Sequence, residues 1–332
     1  MVGSDAAGEQ IIGELVGDGV DTSGILVRPG SSPFTYVIVD SSSSTRTCLH
    51  TPGVCGELLE SDFSPQSEFL ESDVFLQSGT NIGLLEDLIA RSWLLHCDSR
   101  HTAAAVVAAT QANEKATLVS IDIEKERAHV NRLLPLCDII FTNSTFPATQ
   151  LPTAPPDLAG AAVDASVPGL DAIQNMARAH EHLLEVFPRA RIIVSTLGAY
   201  GAVATVRRIV DAQLSAATVG KLPSWPIGAK DAAGPLPLRV ESLPPGRLGS
   251  SLRCPAWAST EKSIEVVDTT GAGDAFIGGF IHAMLSDHSP TTALVMGSFV
   301  AGRKVLARGA RGGLPSLEEL QAAVCSEAKV GL

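Results

Sequence analysis

A chain of 332 residues with 45% hydrophobic content can bury a large core, and its net charge of −12 works against binding a phosphate backbone, which rests on clustered Lys and Arg. Its apolar runs, such as Ala103–Ala109, fall well short of the roughly 20 residues a membrane span needs, and the opening MVGSDAAGEQ lacks the basic flank and apolar segment of a signal peptide. Six scattered cysteines without a CxxC pair point to reduced thiols and exclude a zinc ribbon or a disulfide framework.

In chain order, SPFTYVIVDSSSSTRTCLH comes first: two β-rich runs flank a serine-rich turn, which predicts a hairpin, a small flap over residues 24–52. From Ser72 onward, short apolar runs alternate with amphipathic ones. SDVFLQSG predicts a strand, GLLEDLIARSWLL a helix, TLVSIDIE a strand, ERAHVNRLL a short helix and CDIIFTN a strand. Asp171–Phe187 follows as a helix, ARIIVSTLG and IEVVD as strands, and Asp274–Ser286, Thr291–Ala307 and a stretch from Ser316 as helices. Strands rich in Ile and Val on both faces, alternating with helices, imply an α/β fold: a mainly parallel sheet between two helical layers. Pro147–Pro168 and Lys221–Pro255 break the pattern and predict exposed loops, the second belonging to an insert over 207–262.

Some histidines carry little. HCDSRH, His96–His101, has metal-like spacing but no second Cys/His pair to complete a tetrahedral site. His180 and His182, two apart on a helix, point to different faces and are expected to be solvated.

The stretch VVDTTGAGDAFIGGF carries more. Val266 and Val267 are expected to end a buried strand, and Phe276, Gly279, Phe280, Ala283 and Met284 form the packed stripe of the helix beyond. Asp274 therefore falls at a helix start, just after Gly271-Ala272-Gly273, where free amides and the helix dipole favour an anion. A bare GxGD has a plainer explanation, an aspartate capping a helix after a glycine loop. Yet a carboxylate beside phosphate-binding amides has the parts for phosphoryl transfer, a base and donors for the moving charge. It is not a Walker A loop, which requires GxxxxGK[ST].

DTTGAGDAFIGGFI, Asp268–Ile281, resembles the C-terminal signature of the PfkB, or ribokinase-like, family of sugar and nucleoside kinases. VGSDAAGEQIIGELVGDGVDTSGI and STLGAYGA resemble two further family segments, and DGVDTS, TRTCLH, SIDIEK, CDIIF and AGRKVLARGARGG look most like the ketohexokinase branch. The resemblance implies a ribokinase-like sheet with a β lid, and ATP with Mg²⁺ donating to a small sugar. In it Asp274 is the base, and the amides of Gly271, Ala272 and Gly273 hold the transferring phosphoryl. Thr196, Gly198 and Gly201 would line the nucleotide phosphates, with Thr270, Asn143 and Gly309 also on the nucleotide side. Asp268 would help hold a monovalent cation such as K⁺, or simply cap its turn, and Asp122, with Glu124, would approach Mg²⁺.

Two departures stand out. The family's NxxE is absent, because Asn143 is followed by Ser-Thr-Phe-Pro. The segment that begins here at Val2 normally follows a sugar-binding strand and a Gly-Gly-x-x-x-Asn-x-Ala segment. The resemblance thus implies that about sixty family residues, with most sugar contacts, lie outside this chain, an estimate from domain size. A sugar kinase is the first reading; a nucleoside kinase and a non-catalytic PfkB-like scaffold are the alternatives. The resemblance further implies a cytoplasmic protein, an organelle remaining open, and a possible homodimer through the flap.

Overall fold

The computed structural model describes residues 1–40, 45–63, 81–149, 170–208, 238, 240–257 and 265–325, so SDVFLQSG and most of Pro147–Pro168 lie outside the described residues. It divides into two compact units, residues 1–95 with 100–117, and residues 96–99 with 118–332.

In the first unit, β1 (Val2–Gly3) leads into α1 (Ala6–Gly17) and pairs in parallel with β2 (Val27–Arg28). Asp5 caps α1 by accepting the Gly8 amide, and also accepts the amide and hydroxyl of Ser32, so one carboxylate ties the helix start to the β2 exit. The hairpin of β3 (Phe34–Asp40) and β4 (Thr45–Thr51) is antiparallel in register Phe34 to Thr51, with Tyr36 and Ile38 exposed. α2 (Asn81–Ala90) is shorter than the helix expected over GLLEDLIARSWLL, because its C-terminal apolar residues start β5 (Leu94–Asp98). α3 (Thr102–Glu114) was not anticipated: its alanines bury a broad face that shows little 3.6-residue contrast.

The second unit is built on a sheet of order β10-β11-β9-β8-β7-β6-β5. β6 (Leu118–Ile123), which α4 (Val130–Leu133) follows, pairs in parallel with β7 (Ile139–Thr142). After α5 (Phe146–Thr149) and α6 (Leu170–Val186), β8 (Ile192–Thr196) extends the parallel set. β9 (Ala202–Arg207), β10 (Glu241–Ser242) and β11 (Gly249–Cys254) then run antiparallel to their neighbours. The last two correct the expectation of an exposed loop over Lys221–Pro255: Gly249, Ser251 and Cys254 are buried. Prolines flank that strand and leave its amides free to pair with β9. α6 covers one face of the sheet, while α7 (Ala272–Leu285) and α8 (Pro290–Lys304) cover the other, Phe280 of α7 packing edge-on to Phe141 of β7. Ser289 caps α8 ahead of Pro290, and α9 (Leu317–Cys325) follows.

A second correction concerns His180, which is 0% exposed where solvation was expected. Its Nε2 meets Ser195 Oγ at 2.7 Å and its Nδ1 meets Thr205 Oγ1 at 3.0 Å. Thr142 Oγ1 donates to the Asn143 carbonyl, so Ser195 must donate to Thr142, and His180 must carry its proton on Nε2 to donate to Ser195. Thr205 then donates to Nδ1 and accepts from Ser251. One directed chain thus runs from β11 through β9, α6 and β8 to β7. Burial depresses the imidazole to about 3, so it stays neutral.

The sign follows. An unfolded histidine binds its proton near 6.5, so His180 contributes stability that is complete above that pH and is lost as pH falls toward about 3. His180→Phe should lower the urea midpoint by the equivalent of about 2–4 kcal/mol, through two stranded hydroxyls, and flatten the pH dependence of stability across that window.

Candidate active site

The C-terminal ends of β6, β7 and β8 deliver Asp122, Asn143 and Thr196 to one edge of the sheet, where parallel α/β sheets bind ligands. Beyond Thr196, Gly198–Tyr200 makes a 3-10 turn closed by the Leu197 amide on the Gly201 carbonyl at 2.7 Å. Gly201 has φ of 94°, and a Cβ there would strike the Cys254 carbonyl, so the turn admits only glycine.

The expected buried strand before the signature turn is absent. Glu265–Asp268 has no strand structure, and Val266 and Val267 are each 51% exposed. The amides of Val267 and Asp268 donate instead to the Val305 carbonyl just beyond α8, so an apolar run that mimics a strand is a connector. Gly271 then starts α7 with φ of 76°, and a Cβ on it would lie 2.7 Å from the Ala310 carbonyl. Asp274 does not cap α7: the N-cap is Gly271 and has no side-chain bond.

The turn separates two cavities. One, of about 260 Å³, is lined by Thr196, Gly198, Gly201, Trp257, Ala272 and Gly273, with an apolar wall of Phe276 and Val305. The other, of about 660 Å³, is lined by Gly271, Asp274, His282, Arg311, Leu314 and Leu317 among others. Thr196, Gly198 and Gly201 thus line one cavity together. Thr270, Asn143 and Gly309 do not line that first cavity. Asn143 instead accepts the amides of Thr145 and Phe146 on Oδ1 and donates to the Glu124 carbonyl, so its side chain builds the turn after β7. The three-amide cradle also needs correction: Ala272 donates to the Thr269 carbonyl, whereas the amides of Gly271 and Gly273 make no hydrogen bond among the described residues.

Asp268 accepts Thr270 N–H on Oδ1 at 2.9 Å and Gly309 N–H on Oδ2 at 2.8 Å. The Thr270 bonds foremost, then that of Gly309, hold its carboxyl down at about 2. Asp122 moves the opposite way, to about 7, first because burial disfavours its charge and then because Glu124, Asp274 and Asp98 are near. Asp98, at the end of β5, carries no signal of its own in the sequence, because the metal-like spacing of HCDSRH rests on its ring and thiol neighbours. His96 bonds Ser120 Oγ at 2.8 Å, and burial raises the Cys97 thiol to about 12; no metal-holding group of three such side chains exists among the described residues. Trp257 was missed as well, because it lies in the proline-rich insert. Its amide donates to Ser298 Oγ, and Gly302 leaves room for its ring.

This is a ribokinase-like α/β architecture with a glycine-turn site at the sheet edge. A protein provisionally named ribokinase II from E. coli, solved with ATP and Mg²⁺, superposes with a TM-score of 0.61 at 20% identity, covering 97% of this chain and 80% of its own. Residues 1–207 and 257–317 match the family model for pfkB family carbohydrate kinase, and the chain belongs to that family. An uncharacterized sugar kinase from Archaeoglobus fulgidus is 47% identical over 53 residues, 16% of this chain and 21% of that protein. A ribokinase from Haemophilus influenzae is 38% identical over 56 residues, 17% of this chain and 18% of its own length. The matched stretch is thus about a fifth of either curated relative. No helix among the described residues is long and apolar enough to cross a membrane.

Because the folded carboxyl of Asp122 is raised to about 7 from an ordinary 3.8, the native state keeps a proton that the unfolded chain releases, and stability falls as pH rises across that window. Asp122→Asn should therefore raise the melting temperature more at pH 8 than at pH 4, as thermal melts of both proteins would show.

Proposed function

We propose that the protein transfers the γ-phosphoryl of ATP to a hydroxyl of a small sugar, with Asp274 as the base. The observation that carries this reading is the division of labour at the start of α7: Ala272 and Gly273 border one cavity, Gly271 and Asp274 the other. A donor phosphate on the first side and an acceptor hydroxyl on the second would meet at the turn, where the open Gly271 and Gly273 amides lie at the positive end of the helix dipole.

ATP is the donor substrate. The first cavity suits it: Trp257, Phe276 and Val305 give an apolar wall, and Thr196, Gly198 and Gly201 present backbone that approaches closely for lack of side chains. A bound Mg²⁺ would supply charge neutralisation on the phosphates. The carboxylates of Asp98, Asp122, Glu124 and Asp274 interact across this edge and are hard oxygen donors of the kind Mg²⁺ takes in ones and twos beside phosphates. Asp122, lifted toward neutral-pH titration first by burial and then by those neighbours, would be the residue that releases its proton to hold the ion.

In the chemical step Asp274 takes the proton of the acceptor hydroxyl. A new O–P bond forms to the γ-phosphorus as the bond to the β–γ bridging oxygen breaks and ADP leaves. The wide acceptor-side cavity, with Arg311 and His282 on its wall, suits a small polyhydroxylated molecule; the branch-like segments TRTCLH and AGRKVLARGARGG favour a ketohexose over a nucleoside.

Asp274→Asn should leave ATP affinity within about twofold and cut turnover by about 10²–10⁴-fold, the usual worth of a general base. ADP release with fructose, ribose and adenosine as acceptors would check both base and substrate class. An Asn variant as fast as the parent removes Asp274 from its role, and nucleotide binding without acceptor-dependent ADP release supports the scaffold.

A further inference from the structure

Lys304 closes α8 and is 0% exposed, although lysine is seldom wholly buried without a partner. Its Nζ donates to the Asp268 carbonyl at 2.8 Å and to the Ala307 carbonyl at 3.3 Å. The second contact is ordinary for a lysine at a helix C-terminus, where the last carbonyls lack partners. The first is not, because Asp268 belongs to the signature turn, 36 residues away in sequence.

The same turn is where the family resemblance places a monovalent cation, held by Asp268 and loop backbone. Each oxygen that such an ion would need already accepts a donor, so the ion would have to share it. Both carboxylate oxygens of Asp268 accept amide N–H, from Thr270 and Gly309, and its carbonyl and that of Ala307 accept the lysine ammonium. A second cation would be drawn by the same carboxylate, but it would sit beside a buried like charge. The residues present therefore do not fit an added ion.

We infer that the Lys304 ammonium stands in for the monovalent cation at the signature turn, so that this protein carries its own cation and needs neither K⁺ nor Na⁺ there. The positive charge arrives on the α8 side chain, joins that helix end to the turn before α7, and sits on the Asp268 backbone carbonyl. The inference is independent of the kinase reading, since its test is read in stability.

The experiment is thermal unfolding of the intact protein in potassium, sodium or choline chloride at equal ionic strength, for the parent and for Lys304→Met, which keeps length and removes the charge. The parent should melt within about 1 °C in all three salts, while the variant should melt roughly 5 °C or more lower in choline, a shift typical of losing a buried charged partner. Potassium or sodium should then recover part of that loss. A saturable, potassium-specific rise in the parent overturns the inference. So does a variant as stable as the parent in choline, or one whose deficit is the same in every salt, which would leave Lys304 a packing residue. Should the variant fail to fold, the parent titration decides alone: a flat response supports the inference and a saturable one refutes it. Loss of kinase activity with these melts unchanged would bear on the proposed reaction only.

Discussion

Asp268 uses every oxygen it has as an acceptor. Its two carboxylate oxygens hold the amides of Thr270 and Gly309, and its carbonyl holds the buried ammonium of Lys304. That arrangement fixes the connector after Val267 against the end of α8, and so sets where α7 begins. Everything at the site depends on that starting point. With Gly271 in a left-handed conformation against Ala310, the first turn of α7 becomes a partition with Asp274 on one side and Gly273 on the other. A larger residue at 271 would displace the partition, because its Cβ would meet backbone, which cannot swing aside.

The second requirement is a rigid sheet edge, and on the α6 face a polar chain knits the strands beside the apolar cluster of Ile173, Met176 and Val203. The chain from Ser251 through Thr205, His180 and Ser195 to Thr142 has one proton direction, so each hydroxyl orients the next. At the opposite strand ends, buried Asp138 accepts the Val119 amide and pairs with Arg189 and Arg191, which clamps β6, β7 and β8 together. Between these fixtures the strand ends present Asp122, Asn143 and Thr196 at one edge. The acids crowd there, and burial lifts Asp122 toward neutrality; an edge that raises a carboxyl so far is one prepared for a cation or a proton.

Much of this was legible in the chain. Helices α6 to α8 and strands β6 to β8 follow from periodicity, and DTTGAGD located the glycine turn at the right helix start. The failures share a cause. Val266-Val267 has strand composition, but its amides find the Val305 carbonyl instead of a neighbouring strand. Leu94–Asp98 was absorbed into the preceding helix because LIARSWLL is apolar in either periodicity. Gly249–Cys254 was hidden by surrounding prolines, and Trp257 went with it.

The sequence by itself determined the family and the residues of the turn, because local backbone needs such as glycines at 201 and 271, and an acid in the first turn of a helix, are written in consecutive residues. Only the tertiary structure decided which groups those residues meet. It paired Asp268 with Lys304 and Gly309, sent Asn143 into its own turn, took one amide of the three from the cradle, and put His180 in the core. Hydrogen-bond partners distant in sequence compete for each polar group, and that competition is settled by packing, which a one-dimensional pattern does not contain.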